Sequence, residues 1–178
     1  MLPVMGVPLH PFKQCKKVQI SLKSGECLWL KGKNGSGKTT VLTVLAGQIH
    51  VRGLVVPTAV QYISAKPLTL KGLTVKEQLA YYQKIYQNTF LTGDWVRGFE
   101  DMPVLQLSQG QSQRLSLLRL GFSHDPLWLL DEPFNALDLE GVELLNQLLD
   151  QHIMRGGGVI YSSHIKMRSG CEVLCLDS

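Results

Sequence analysis

The octet GKNGSGKT, Gly32 to Thr39, fits the pattern G-x-x-x-x-G-K-[ST] without a departure. It follows the apolar run ECLWL and precedes TVLTVLAG, whose apolar residues fall at helical spacing. The chain must therefore pass from a strand through a glycine-rich turn into a helix. Gly32, Gly35 and Gly37 let backbone N–H groups turn inward around phosphates, and a helix starting near Lys38 adds its positive dipole end. Lys38 is placed to neutralise β- and γ-phosphate oxygens, and the Thr39 hydroxyl to reach Mg²⁺. Asn34, Ser36 and Thr40 complete the loop and the first helical turn, so residues 32–40 form a candidate site for ATP with Mg²⁺.

Two more apolar runs, PLWLLDEP and GGVIYSSH, are too continuous for half-exposed strands and too short for ordinary helices. They read as parallel strands buried on both faces. Between the phosphate loop and the second run lies a different texture, roughly residues 67–125, with helical periodicity in VKEQLAYYQKIY and again in SQRLSLLRLGF. The expected fold is an α/β P-loop NTPase with a mostly parallel core sheet and a small helical insertion, one domain over residues 1–178. A length of 178 residues with 44% hydrophobic residues is enough for one well-buried domain. The stretch DLEGVELLNQLLDQHI reads as a helix that stops at RGGG. No fixed strand is assigned to the proline-broken start MLPVMGVPLHPF, and the chain's end after EVLCLDS leaves no room for an accessory domain.

The net charge of +4 is mild and its basic residues are scattered, which suits phosphate ligands and argues against a nucleic-acid partner. No apolar run approaches the ~20 residues of a membrane span. The cysteines Cys15, Cys27, Cys171 and Cys175 lack CxxC spacing and read as reduced core residues.

LWLLDE puts two carboxylates at the end of a buried strand. Beside a phosphate loop, Asp131 is expected to hold Mg²⁺ through water, and Glu132 to polarise the attacking water as general base. Upstream lies LSQGQSQRLSLLRL, where Ser108 and Gln111 form a capping box at a helix start. Gly110 is then out of place, since glycine there weakens a helix by about 1 kcal/mol relative to alanine.

LSQGQ ahead of LLDEP resembles the signature of ABC-type ATPases. The resemblance implies that Ser108, Gly110, Gln111 and the helix N-terminus form a second anion site. Lys38 already serves one γ-phosphate, so this second site would serve another chain's nucleotide, in an ATP-dependent head-to-tail homodimer. NALD, Asn135 to Asp138, is similar to the D-loop at that dimer seam, and YSSH places His164 where the family's switch histidine meets the γ-phosphate. With Lys38 and Glu132, His164 completes the catalytic set that the resemblance implies.

GFEDMPVLQLSQGQSQRLSLLRL, PLWLLDEPFNALD and GGGVIYSSH resemble the ATP-binding subunits of the cytochrome c maturation family CcmA, the haem exporter ATPases, from about Gly25 onward. This implies an ATPase held at the cytoplasmic face of a bacterial inner membrane by integral membrane permease subunits like CcmB, CcmC and CcmD, with hydrolysis linked to release of a haem-loaded chaperone. The alternatives are a non-transport ABC protein acting as a nucleotide-switched interaction module and a degenerate subunit with weak hydrolysis. One position departs from the family. Where it carries a metal-sensing Gln in HQPG, this chain has Lys66, whose ammonium cannot coordinate Mg²⁺. Reduced but non-zero ATPase activity is expected. The adenine-stacking residue is Phe12 or His10.

Overall fold

A computed structural model of the protein describes residues 2–8, 17–56, 58–90, 92–164 and 169–176. Phe12 and His10 lie outside the described residues. Strands β1 (Leu2–Pro8) and β2 (Lys17–Leu22) pair antiparallel in a two-stranded sheet. The proline-broken start is thus a strand, contrary to the expectation above. The pairing register shifts between Leu2 and Met5, which absorbs Pro3 at an irregular position, and Pro8 closes the strand. Prolines are tolerated at such bulges and strand ends because no central ladder bond is lost there.

The second sheet is fully parallel. Strands β3 (Cys27–Lys31), β4 (Val60–Ile63), β5 (Leu127–Leu130), β6 (Gly158–Ser162) and β7 (Glu172–Cys175) lie in the order β4-β5-β6-β3-β7. Side chains alternate between its two faces with period two. Leu28, Leu30, Leu127, Leu129 and Ile160 pack on one face with Val41, Leu42 and Leu45 of α1 (Lys38–Leu45). Trp29, Trp128, Leu130, Val159 and Tyr161 pack on the other with Leu145, Leu148 and Leu149 and the helical layer. That layer holds α2 (Val75–Tyr86), α3 (Gly93–Val96), a 3₁₀ turn at Val104–Gln106, α4 (Gln109–Leu117) and α5 (Arg119–Phe122). The last helix, α6 (Leu139–Met154), is capped by Asp138, whose carboxylate accepts from the Gly141 N–H at 2.9 Å.

The strand register also overturns the expectation of reduced cysteines for Cys27 and Cys171; Cys15 lies outside the described residues. Leu28 stands opposite Glu172, which brings the preceding pair, Cys27 and Cys171, side by side with Cα atoms 4.6 Å apart, and their sulfurs are bonded. Cys175 is free and exposed rather than in the core.

Candidate nucleotide site

The phosphate loop connects β3 to α1 as its motif requires, and it takes its shape from glycine. Gly35 and Gly37 have φ of 81° and 99°, a region closed to most side chains. The Lys38 ammonium, 7% exposed, donates to the carbonyls of Gly32 at 2.7 Å and Lys33 at 3.1 Å. The Ser36 hydroxyl is buried with no hydrogen-bond partner among the described residues, an unmet polar group within the phosphate loop.

Strand β5 delivers the two carboxylates. Asp131 is 2% exposed and accepts from the Thr39 hydroxyl at 2.8 Å. These two hard oxygen ligands, side by side beside the phosphate loop, fit a magnesium ion. Burial first, and the Asp131 charge second, push the neighbouring Tyr62 phenol up to about 12, so Tyr62 stays neutral. Glu132 has φ of 47°, a left-handed conformation that costs a non-glycine residue about 1–3 kcal/mol and recurs where function over-determines the backbone. Its Oε1 lies 3.9 Å from the Lys38 Nζ and 3.2 Å from the His164 Nε2, the latter without hydrogen-bond alignment. The structure therefore brings Lys38, Thr39, Asp131, Glu132 and His164 to one place.

One member of this group has no signal in the sequence. Ser162, at the end of β6 and fully buried, donates from its hydroxyl to Asp131 Oδ1 at 2.6 Å and accepts from the Glu132 N–H at 2.8 Å. It holds both acidic residues from a strand 30 positions away. Ser162→Ala leaves a buried acceptor and a buried donor unpaired, so stability should fall by about 1–3 kcal/mol. Turnover should fall with it by about tenfold, read from thermal unfolding and steady-state phosphate release. Wild-type values in both would remove Ser162 from the site.

The signature residues occupy a different cavity, of about 450 Å³, which includes Ser108, Gly110, Gln111, Arg114 and Asp138 and none of the phosphate-loop residues. The capping box is present: the Ser108 hydroxyl accepts from the Gln111 N–H, and the Gln111 side chain accepts from the Ser108 N–H. Gly110 has an explanation within its own chain. A Cβ there would stand 2.6 Å from the Ala136 carbonyl oxygen, so the helix start and the D-loop touch backbone to backbone. Two side chains fasten the same contact. Gln113 donates to the Pro133 carbonyl at 3.0 Å, and Arg114, 8% exposed, donates to Asp138 at 2.5 Å and Glu140 at 2.8 Å. The hydrogen bond from Arg114, then the one from the Gly141 N–H, hold the Asp138 carboxyl below its ordinary value.

Lys66 is exposed and forms no ion pair with a described residue; its carbonyl accepts from the Ser64 hydroxyl at 2.8 Å. The loop that follows is tied to the helical layer by Gln78, which accepts from the Leu70 N–H at 2.7 Å and donates to the Leu68 carbonyl at 3.3 Å.

The ABC transporter family pattern matches residues 15–135 of this chain. Solved structures agree in fold: the ATP-binding subunit of an ABC transporter superposes with a TM-score of 0.75 at 21% identity, covering 91% of this chain and 79% of that one. The chain is a member of the ABC transporter family, an ATP-binding and ATP-hydrolysing subunit of the kind that works with membrane transporter partners. A Vibrio vulnificus (strain YJ016) protein named cytochrome c biogenesis ATP-binding export protein CcmA is 35% identical over 174 residues, 85% of either chain. The protein of that name from Haemophilus influenzae is 39% identical over 168 residues, 82% of this chain and 79% of its own. Another from Xanthomonas campestris pv. campestris (strain 8004) is 39% identical over 160 residues, covering 79% and 75%. Within the ABC transporters, the chain belongs to the CcmA family.

Proposed function

We propose that this chain is the ATP-hydrolysing subunit of an ABC exporter in c-type cytochrome biogenesis. It works as an ATP-closed homodimer at the cytoplasmic face of a bacterial inner membrane, bound to integral subunits similar to CcmB, CcmC and CcmD. One observation carries the mechanism: the chain holds two half-sites in separate places, one gathering Lys38, Thr39, Asp131 and Glu132, the other around Ser108 and Gly110. Neither completes the other within one chain, and a head-to-tail pair supplies both twice. The named relatives support the cytochrome c branch.

In this reading the loop amides at 32–37 and Lys38 bind and orient the ATP phosphates, with the Ser36 hydroxyl finding its acceptor there. Thr39 and Asp131 would hold Mg²⁺, which supplies charge neutralisation across the β- and γ-phosphates. Glu132 takes the proton from the attacking water as the bond from the γ-phosphorus to the β–γ bridging oxygen breaks, leaving ADP and phosphate. His164, whose Nε2 lies 3.2 Å from Glu132, is placed to meet the γ-phosphate beside it. Ser108 and Gly110 of the opposite chain contact the γ-phosphate only in the closed pair, so loss of phosphate removes the contacts that hold it shut. The opening is transmitted through Gln78, which makes the loop after Lys66 move with α2. Leu68 on that loop is 45% exposed and offers the membrane partner an apolar contact.

Lys66→Gln restores a neutral amide at the metal-sensing position and should raise turnover by about tenfold, ~1.4 kcal/mol in the barrier. Lower turnover would count against the role given to Lys66. The branch is tested by purifying the tagged chain from detergent-solubilised membranes. Recovery of integral, haem-handling subunits with ATP-stimulated phosphate release is the expected result. Recovery with ribosomes or DNA and no membrane protein would overturn it.

A further inference from the structure

Opposite the nucleotide end of β5 lies a cavity of about 300 Å³, within the range of small-molecule sites. Its walls come from both parts of the fold: Asn88 and Phe90 from the helical insertion, Trp128 from β5, and Leu148, His152 and Arg155 from α6 and its end. Trp128 is 3% exposed, and its indole N–H is buried with no acceptor among the described residues. An unpaired buried donor is costly to the fold, and it makes Trp128 a sensitive reporter of what happens in the cavity. The His152 imidazole stacks on the Trp128 indole with ring centres 3.7 Å apart and planes 9° from parallel, so His152 covers one face of the indole and both rings belong to the lining.

The charge of the lining has one sign. Arg155 and His124 are both exposed lining residues, and among the described residues no Asp or Glu lines the cavity. An adjoining cavity of about 250 Å³ contains Asp125, but that carboxylate already accepts from the Ser123 hydroxyl at 2.8 Å. Burial lowers the basicity of His152, which leaves Arg155 as the fixed charge. A ligand that fits has a flat apolar body for the ring-and-leucine lining of Phe90, His152 and Leu148 and an anionic group for Arg155.

We propose that this cavity is a binding site for a small aromatic carboxylate, held between the helical insertion and the core. The inference stands apart from the proposed role in cytochrome biogenesis, because neither the lining nor the test involves the nucleotide.

The test uses the ¹⁵N-labelled full chain, whose three tryptophans give three indole N–H resonances. Trp128→Phe identifies the one in the cavity. Titration with benzoate should shift that resonance saturably in the millimolar range, as expected for so small a ligand. Benzamide, flat but uncharged, should need about tenfold more, and Arg155→Gln should weaken benzoate by about tenfold while leaving ATP turnover unchanged. Three results would each overturn the proposal: no saturable shift at tens of millimolar benzoate; equal shifts from benzoate and benzamide in wild type and Arg155→Gln; or inorganic phosphate acting as strongly as benzoate. The first means that the cavity holds only water, the second that it is an apolar crevice, and the third that the aromatic body is not recognised.

Discussion

Glu132→Gln is expected to lower ATP turnover by about 10²–10⁴-fold, the range spanned by a positioned general base, while ATP still binds. The amide keeps the shape of the carboxylate but cannot take the proton of the attacking water. Gln tolerates the φ of 47° about as well as Glu, and the backbone N–H still has the Ser162 hydroxyl as its acceptor, so the fold should not suffer. Removal of the anion 3.9 Å from the Lys38 ammonium also leaves that cation with no ion-paired acid among the described residues to compete with the phosphates. Binding should therefore hold or tighten as hydrolysis fails, and the closed pair should accumulate. Gel filtration with ATP and Mg²⁺ should show the variant at twice the monomer mass, with phosphate release near background. A variant that stays monomeric with ATP, or turns over at the wild-type rate, would remove Glu132 from the role assigned to it.

Gly110→Ala separates two accounts of the signature glycine that predict opposite signs. If helix propensity alone mattered, alanine would stabilise α4 by about 1 kcal/mol. The added Cβ would instead stand 2.6 Å from the Ala136 carbonyl oxygen, a backbone atom that cannot swing aside. Either α4 or the D-loop must shift, at a cost of about 1–3 kcal/mol, and in the proposed pair both carry groups for the neighbouring chain's nucleotide. The expected result is a lower melting temperature and at least tenfold slower turnover, with binding of a fluorescent ATP analogue to the monomer unchanged. The last readout isolates the effect, because the phosphate loop lies in the other half-site. A more stable variant with full activity would show that the backbone contact is unimportant.

The parts of this site that could be read from residues alone are those compressed into short strings. The phosphate loop, the Asp131–Glu132 pair and the capped start at Ser108 each depend on neighbours within eight positions, and local geometry follows from local spacing. Ser162, Gln113 and Arg114 escaped because their partners lie 20 to 31 residues away, where only the sheet order and the placement of α4 decide who meets whom. The polar end of a buried strand offers a hydroxyl, but nothing in YSSH says that it will face the Asp131 carboxylate and the Glu132 N–H. The cysteines were misjudged for a related reason. CxxC spacing tests for a local metal clip, whereas Cys27 and Cys171 meet through strand register across a separation of 144. The first strand was missed because Pro3 and Pro8 argue against a ladder unless its register is known to slip.

The fastening of α4 to residues 133–140 has a kinetic consequence. A chain cannot displace the segment behind its own Glu132 without carrying along the turn it presents to its neighbour. In the proposed pair, phosphate loss at one nucleotide is thereby felt at the other in the same stroke. Such a dimer keeps time with one clock, and loosening Arg114 from Asp138 and Glu140 would split it into two that drift out of phase.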